Sequence, residues 1–414
     1  MTAIIGSILI LYLLFLKIKT DVDILNPMIL FALIVLSTYF ISTLKLSGLQ
    51  HEYPMWFSLL ILLLILTFLI GAKLAAILRW KQKKRDIRYD SSTLRLLAFF
   101  IWIGIVISFA IEIVILGPPP AISGSIRNQY FVSGIGSIVT LQSVFWGLII
   151  YDRYNQKSLG KFFWLYVISV VIIAGLLSNK YQIIYMGIIL LIAHNTFKKR
   201  IQIKTLAFFS FLVLLLFLAL FEFVYQDMYN ITFDKISEIY QMDLPDSLNV
   251  LAQPYLYVAF NYENLYTFLI SDHSNLYGLA TFNGLFKFFS LNQFYSSETQ
   301  LIMEQRDAAL NIDAMNTGTM FEDFAQDGDA FVFLFTFLAG FWAYLSYKNF
   351  KLNHSFFSFY MFITTTSSVF MAFFVNAFTS KLTLVNLLGA YFIGLVLHRV
   401  IVSRHRKTVE YKDL

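Results

Sequence analysis

The chain has 414 residues, of which 58% are hydrophobic and only 14% charged, with a mean hydropathy of +0.69, a net charge of +6 and no cysteine. A soluble globular chain carries roughly 25% charged residues, so a water-soluble particle, a disordered chain, a collagen and a coiled coil are all excluded. The missing cysteine excludes disulfides, a thiol nucleophile and cysteine-held metal or iron–sulfur centres.

Apolar runs of roughly 17–25 residues read as transmembrane helices. Eleven stretches qualify, at 2–16, 27–44, 54–78, 95–116, 134–151, 162–178, 181–197, 205–225, 330–347, 356–378 and 382–402. The first is short, but it lacks a basic leader and a small-residue cleavage site, so it reads as a span and not as a signal peptide. The fold class expected is therefore an all-α, polytopic bundle of about 11 transmembrane helices with one large, partly helical external loop.

Basic residues cluster after every odd-numbered span, most densely in RWKQKKRDIR at 79–88, while the alternate connections are nearly bare, with Lys45, Arg127, Lys180 and Lys381 besides Lys235, Lys287 and Arg306 in the long external loop. Positive residues stay on the cytoplasmic side, which predicts an external amino terminus and a cytoplasmic carboxyl terminus. The excess charge is then topology and an anchor to anionic lipid, not a nucleic-acid surface.

Three regions follow: helices one to eight over 1–226, a large external segment over 227–329, and helices nine to eleven with a basic tail over 330–414. The external segment carries 15 acidic and 3 basic residues, a net of −12, but it is rich in Tyr, Phe and Leu. That composition predicts order, as short helices over the bundle mouth. PYLYVAFNYENLYTFLIS (254–271) has helical spacing, and Ser297 three residues before Gln300 suggests a capping box. A proline run at 118–120 is expected to stop the fourth helix.

The expected external cations are few. Arg127, Lys180 and Arg306 stand out as groups able to neutralise a lipid diphosphate and stabilise it as a leaving group. The plainer alternative is that they tether loops to headgroups. Asp327, just before the ninth span, is placed to take a proton from an acceptor hydroxyl. Glu322 and Asp323 read as a solvated acidic rim, and His273 as a base or a bystander. Glu112, inside the fourth span, is a functional candidate by its depth. The loop aromatics Tyr255, Tyr262, Tyr266, Tyr277 and Phe282 either stack on sugar rings or pack the loop onto the bundle. No zinc-like spacing and no Gly-rich nucleotide loop followed by Lys occurs, so neither a metal nor a nucleotide cofactor is expected.

Four segments, in order, resemble one family. They are DILNPMILFALIVLSTYF (23–40), SNKYQIIYMGIILLIAH (178–194), GLATFNGLFKFF (278–289) and NTGTMFEDFAQDGDAFVFLFTFLAG (316–340). Together they are similar to the Wzy-type polymerases, which join the oligosaccharide repeat units of O-antigen and capsule. The resemblance implies a bacterial cytoplasmic-membrane enzyme without cofactor or metal. It would move a growing glycan from undecaprenyl diphosphate onto the non-reducing end of a new lipid-linked unit at the outer face. Arg127, Lys180 and Arg306, with Tyr181, Asn316 and Thr319, would hold the diphosphates. Asp327, then Glu263, then His273 would be the carboxylate or imidazole at the acceptor. A chain-length regulator and a flippase of the same pathway would be partners. An O-antigen ligase is the nearest rival. A polysaccharide flippase would show charges within the spans and repeat symmetry, and a membrane acyltransferase would show a His–carboxylate pair.

Overall fold

The computed structural model describes residues 2–18, 23–78, 89–123, 130–132, 134–178, 180–221, 232–310 and 317–410. Arg127, Asn316 and the 79–88 cluster lie outside them. In chain order the helices are α1 (Thr2–Ile18), α2 (Pro27–Ser42), α3 (Met55–Ile77), α4 (Ser91–Leu116), α5 (Pro120–Ser123), α6 (Ile135–Thr140), α7 (Gln142–Asn155), α8 (Phe162–Leu176), α9 (Lys180–Phe197), α10 (Ile203–Phe221), α11 (Phe233–Ile239), α12 (Ala252–Ile270), α13 (Asn283–Phe288), α14 (Ser296–Ala309), α15 (Met320–Gln326), α16 (Asp329–Leu352), α17 (Phe356–Phe370) and α18 (Lys381–Glu410). No strand occurs among the described residues. A single antiparallel bridge joins Ser47 to Met242.

Among the described residues, five stretches are long and apolar enough to cross a membrane: Met55–Ile77, Ser91–Ser123, Ile135–Asn155, Asp329–Leu352 and Lys381–Arg399. Five expected spans form shorter apolar helices, at Thr2–Leu16, Pro27–Ser42, Phe162–Leu176, Gln182–Phe197 and Phe356–Phe370. The outward faces are apolar as well. On α3, Leu59, Leu63, Leu66, Ile70, Leu74 and Ile77 recur at helical spacing and are all exposed. An apolar stripe of that length has no stable contact with water, and a lipid environment removes the conflict.

The helix ends follow local chemistry. Asn26 caps α2 through the Met28 amide ahead of Pro27, and Asp90 caps α4 through Thr93. The stop of α4 differs in cause from the expectation. Gly117, at φ +85°, ends the helix at Leu116, before the prolines, and Pro120 opens α5. The Ser297 capping box does not form, because α14 starts at Ser296 with Tyr295 as its N-cap, two residues earlier than the box requires, and Ser297 bonds Glu298 instead.

The chain divides into two compact units, each assembled from distant segments. The first holds residues 1–80, 201–347 and 365–381, and so contains the whole 227–329 segment. Its core joins α1–α3, α12, α15 and α16, with Phe31 stacked on Phe68 at 3.7 Å. Gly71 and Gly340 let α3 and α16 touch backbone to backbone: a Cβ at either would lie 2.1 Å from a carbonyl oxygen of the other helix. The long connection is helical, as expected, and α12 is its spine. Tyr255 and Tyr262 are buried there, with Tyr255 donating to Gln50 and accepting from the Leu46 amide, and Tyr262 against Thr38.

The second unit holds residues 81–200, 348–364 and 382–414. Tyr360 packs over Gly147, Trp146 donates to the Met186 carbonyl, and Asp152 accepts from the Ser158 and Leu159 amides to close the turn after α7.

Candidate functional site

The site grows from α15, a seven-residue helix in the first unit. In TMFEDFAQ the polar residues fall at Thr319, Glu322, Asp323 and Gln326, a spacing that puts them on one helix face. Met320, Phe321, Phe324 and Ala325 face the hydrophobic core and hold the helix in place. The segment leading into it is strung along α12. Asn264 donates to the Thr317 carbonyl at 2.7 Å, and the Thr317 hydroxyl donates to Asn261 at 2.7 Å.

Arg306, on α14, meets this stripe. Its Nε lies 3.1 Å from Glu322 Oε1, with Glu322 only 2% exposed. Glu322 Oε2 packs against Gly318, where a Cβ would lie 1.5 Å away, so a larger residue there would have to displace the carboxylate. Burial pushes Glu322 up to about 7, against the pull of Arg306. Burial also pushes Asp323 up to about 6, opposed by Arg306, Asn376 and Lys287. Burial alone would lower the guanidinium of Arg306, but Glu322, Asp323 and Asp307 raise it above its usual value.

Several buried polar atoms here have no hydrogen-bond partner among the described residues: Thr319 Oγ1, Glu322 Oε2, both side-chain heteroatoms of Gln326, and Arg306 Nε, whose contact with Glu322 is off the hydrogen-bonding direction. Buried polar groups are nearly always paired. A cluster that is not paired has unspent capacity for a ligand that is rich in donors and acceptors. A cation, two carboxylates of near-neutral pKa and an amide can together move a proton and steady a developing negative charge.

The expected residues distribute as follows. Thr319 and Arg306 come together here. Asp327 is fully buried, and its two oxygens accept the Ala280 and Thr281 amides at 3.0 and 2.9 Å. Backbone bonds from Leu276 to Gln326 and from Tyr277 to Asp327 complete the clip. Asp327 thus fastens the 276–282 loop. His273 lies against Phe268 at 4.2 Å, with its Nδ1 2.9 Å from the Ser271 carbonyl. Lys180 and Tyr181 open α9 in the second unit, and their side chains are not described. The acidic-rim expectation for Glu322 is corrected: the residue is buried and ion-paired, because the helix turns it inward.

One feature escaped the sequence reading. Glu263, on α12 and fully buried, accepts from the His51 amide at 3.2 Å and sits 2.5 Å from His51 Nδ1. The imidazole is 48% exposed and lies beside Tyr266, itself packed with Tyr53 and Trp56. The two residues are 212 positions apart, so no local motif announces the pair. Of the pair, the imidazole is the exposed member and the carboxylate the buried one.

Comparison of the chain with family models, curated proteins and solved structures gives no match.

Proposed function

We propose that the protein is a membrane glycosyltransferase that polymerises lipid-linked oligosaccharide repeat units. The observation that carries the proposal is the cluster that Arg306 of α14 forms with Glu322 and Asp323 on the polar stripe of α15, in a chain with several helices of membrane length. The order of the four family-like segments supports it, and two of them, 278–289 and 316–340, meet at the Asp327 clip.

In the reaction an acceptor sugar hydroxyl attacks the anomeric carbon of the growing glycan. The new glycosidic C–O bond forms as the bond from that carbon to undecaprenyl diphosphate breaks, and the hydroxyl proton passes to a carboxylate. Asp323, partly exposed and poised near neutrality, is the proton acceptor. Arg306 and Lys287 face the departing diphosphate. Asp327, first choice from sequence, has its oxygens committed to the loop and is a positioning residue. The reaction belongs at the outer face of a bacterial cytoplasmic membrane, with the amino terminus outside. A chain-length regulator and a flippase supply its context. The test is the full-length protein in liposomes with an isoprenoid-diphosphate-linked repeat unit: a ladder of products supports the reading, and unchanged single units overturn it.

The His51–Glu263 pair favours a second reading, a membrane acyltransferase in which His51 deprotonates a sugar hydroxyl. Loss of an acyl substituent from the surface glycan in His51→Ala, with normal polymer length, would select it.

A further inference from the structure

The second unit contains a cavity of about 290 Å³ that the reaction above does not use. Its lining includes Glu112, Tyr130, Phe131, Thr140, Gln142 and Gln182. Glu112 and Gln142 are each 2% exposed, inside stretches of membrane length. An ionisable or amide side chain at that depth is expensive unless it has a task.

The wall is built, not incidental. Glu112 accepts the Val132 amide at 3.3 Å, Tyr130 donates to the Gly117 carbonyl at 2.9 Å, and Ser143 donates to Gln182 Oε1 at 2.9 Å. Gly136 makes the room: a Cβ there would lie 2.8 Å from Glu112 Oε1 and 2.4 Å from the Phe131 ring. Gln142 Oε1 has no hydrogen-bond partner among the described residues.

The donor set selects the ligand class. A carboxylate, two amides and a hydroxyl can accept from and donate to adjacent hydroxyl groups, and two aromatic rings offer apolar faces. No basic residue is among the described lining residues, and their donors and acceptors suit hydroxyl groups. The volume lies at the bottom of the usual range for small-ligand pockets, roughly 300–1,000 Å³, which fits one ring and not an oligosaccharide.

We propose that this cavity binds a single neutral sugar ring through Glu112, Gln142 and Gln182. The choice of a sugar among neutral polyols rests on the glycosyltransferase reading; the polar character of the site does not.

The test is saturation-transfer NMR on the full-length protein in phosphatidylcholine nanodiscs, which carry no sugar, with free glucose, galactose and N-acetylglucosamine as probes. Ring-proton enhancement from at least one of them is expected. It should fall at least fivefold in Gln142→Met and in Glu112→Gln, and about twofold in Thr140→Val, a milder change should the others fail to fold. No enhancement from any probe, or equal enhancement in all variants that fold, overturns the proposal. Binding of glucosamine but of none of the three neutral sugars would assign the cavity to a cation and also overturn it. Sugar binding with unaltered polymer after gene deletion would leave the cavity assignment standing while removing the polymerase reading. Polymer loss without sugar binding would do the reverse.

Discussion

Arg306 Nε lies 3.1 Å from Glu322 Oε1 within the long connection, in surroundings that leave Glu322 almost no exposure. A buried carboxylate held by one guanidinium is a vulnerable arrangement, because removing either partner strands the other. Arg306→Ala is expected to destabilise the protein by about 3 kcal/mol. Adding Glu322→Gln should restore part of that loss, since no ionisable carboxylate is then left unpaired at this position. Thermal unfolding in nanodiscs measures both, and equal stability of the single and double variants would contradict the pairing.

The same cluster sets a pH dependence. Burial holds Glu322 at about 7 and Asp323 at about 6, against roughly 4 in an unfolded chain. The folded state keeps protons that the unfolded state releases. Its contribution is therefore complete below about pH 4 and is lost as the pH rises through the two folded values. The melting temperature should fall between about pH 5 and pH 8, and the slope should flatten in the Glu322→Gln, Asp323→Asn double variant. A melting temperature that rises over that interval in the wild type contradicts the assignment.

Asp327 and Asp323 are separable by experiment. Asp327→Asn leaves one oxygen where two amides need an acceptor, which is expected to destabilise by about 1–3 kcal/mol and to open the 276–282 loop to protease. Asp323→Asn should keep that loop protected while lowering polymer formation in liposomes at least a hundredfold. Protease resistance in Asp327→Asn together with a full loss of activity would return the base role to Asp327.

Helix contact in the first unit rests on glycine. Gly71→Ala and Gly340→Ala each force a Cβ onto a facing carbonyl and should lower the yield of folded protein severely. Gly175→Ala, with nothing within 4 Å of the new Cβ, should be neutral or stabilising by about 0.4–1 kcal/mol. Size-exclusion profiles after purification distinguish these outcomes.

Much of the helical architecture is legible in hydropathy, because a run of Leu, Ile and Phe has few alternatives to a lipid-facing helix. The α4 stop was legible in place but not in cause, since Gly117 ends the helix before the prolines act. The polar stripe of α15 could have been read from TMFEDFAQ at helical spacing, had the acidic residues not suggested a solvated rim. Arg306 and Glu322 are linked by folding of the long connection, and His51 and Glu263 by packing across 212 residues. Sequence periodicity carries no information on such pairings. The cavity beside Glu112 was visible only as an ionisable residue within a span; its amide partners were not.

The most direct measurement is gel analysis of surface glycan from a host in which the gene is deleted and then replaced by wild type, Arg306→Ala or Asp323→Asn. Deletion and both variants should give single repeat units in place of the long ladder, and wild type should restore it. A full-length ladder from the deletion strain would contradict the account.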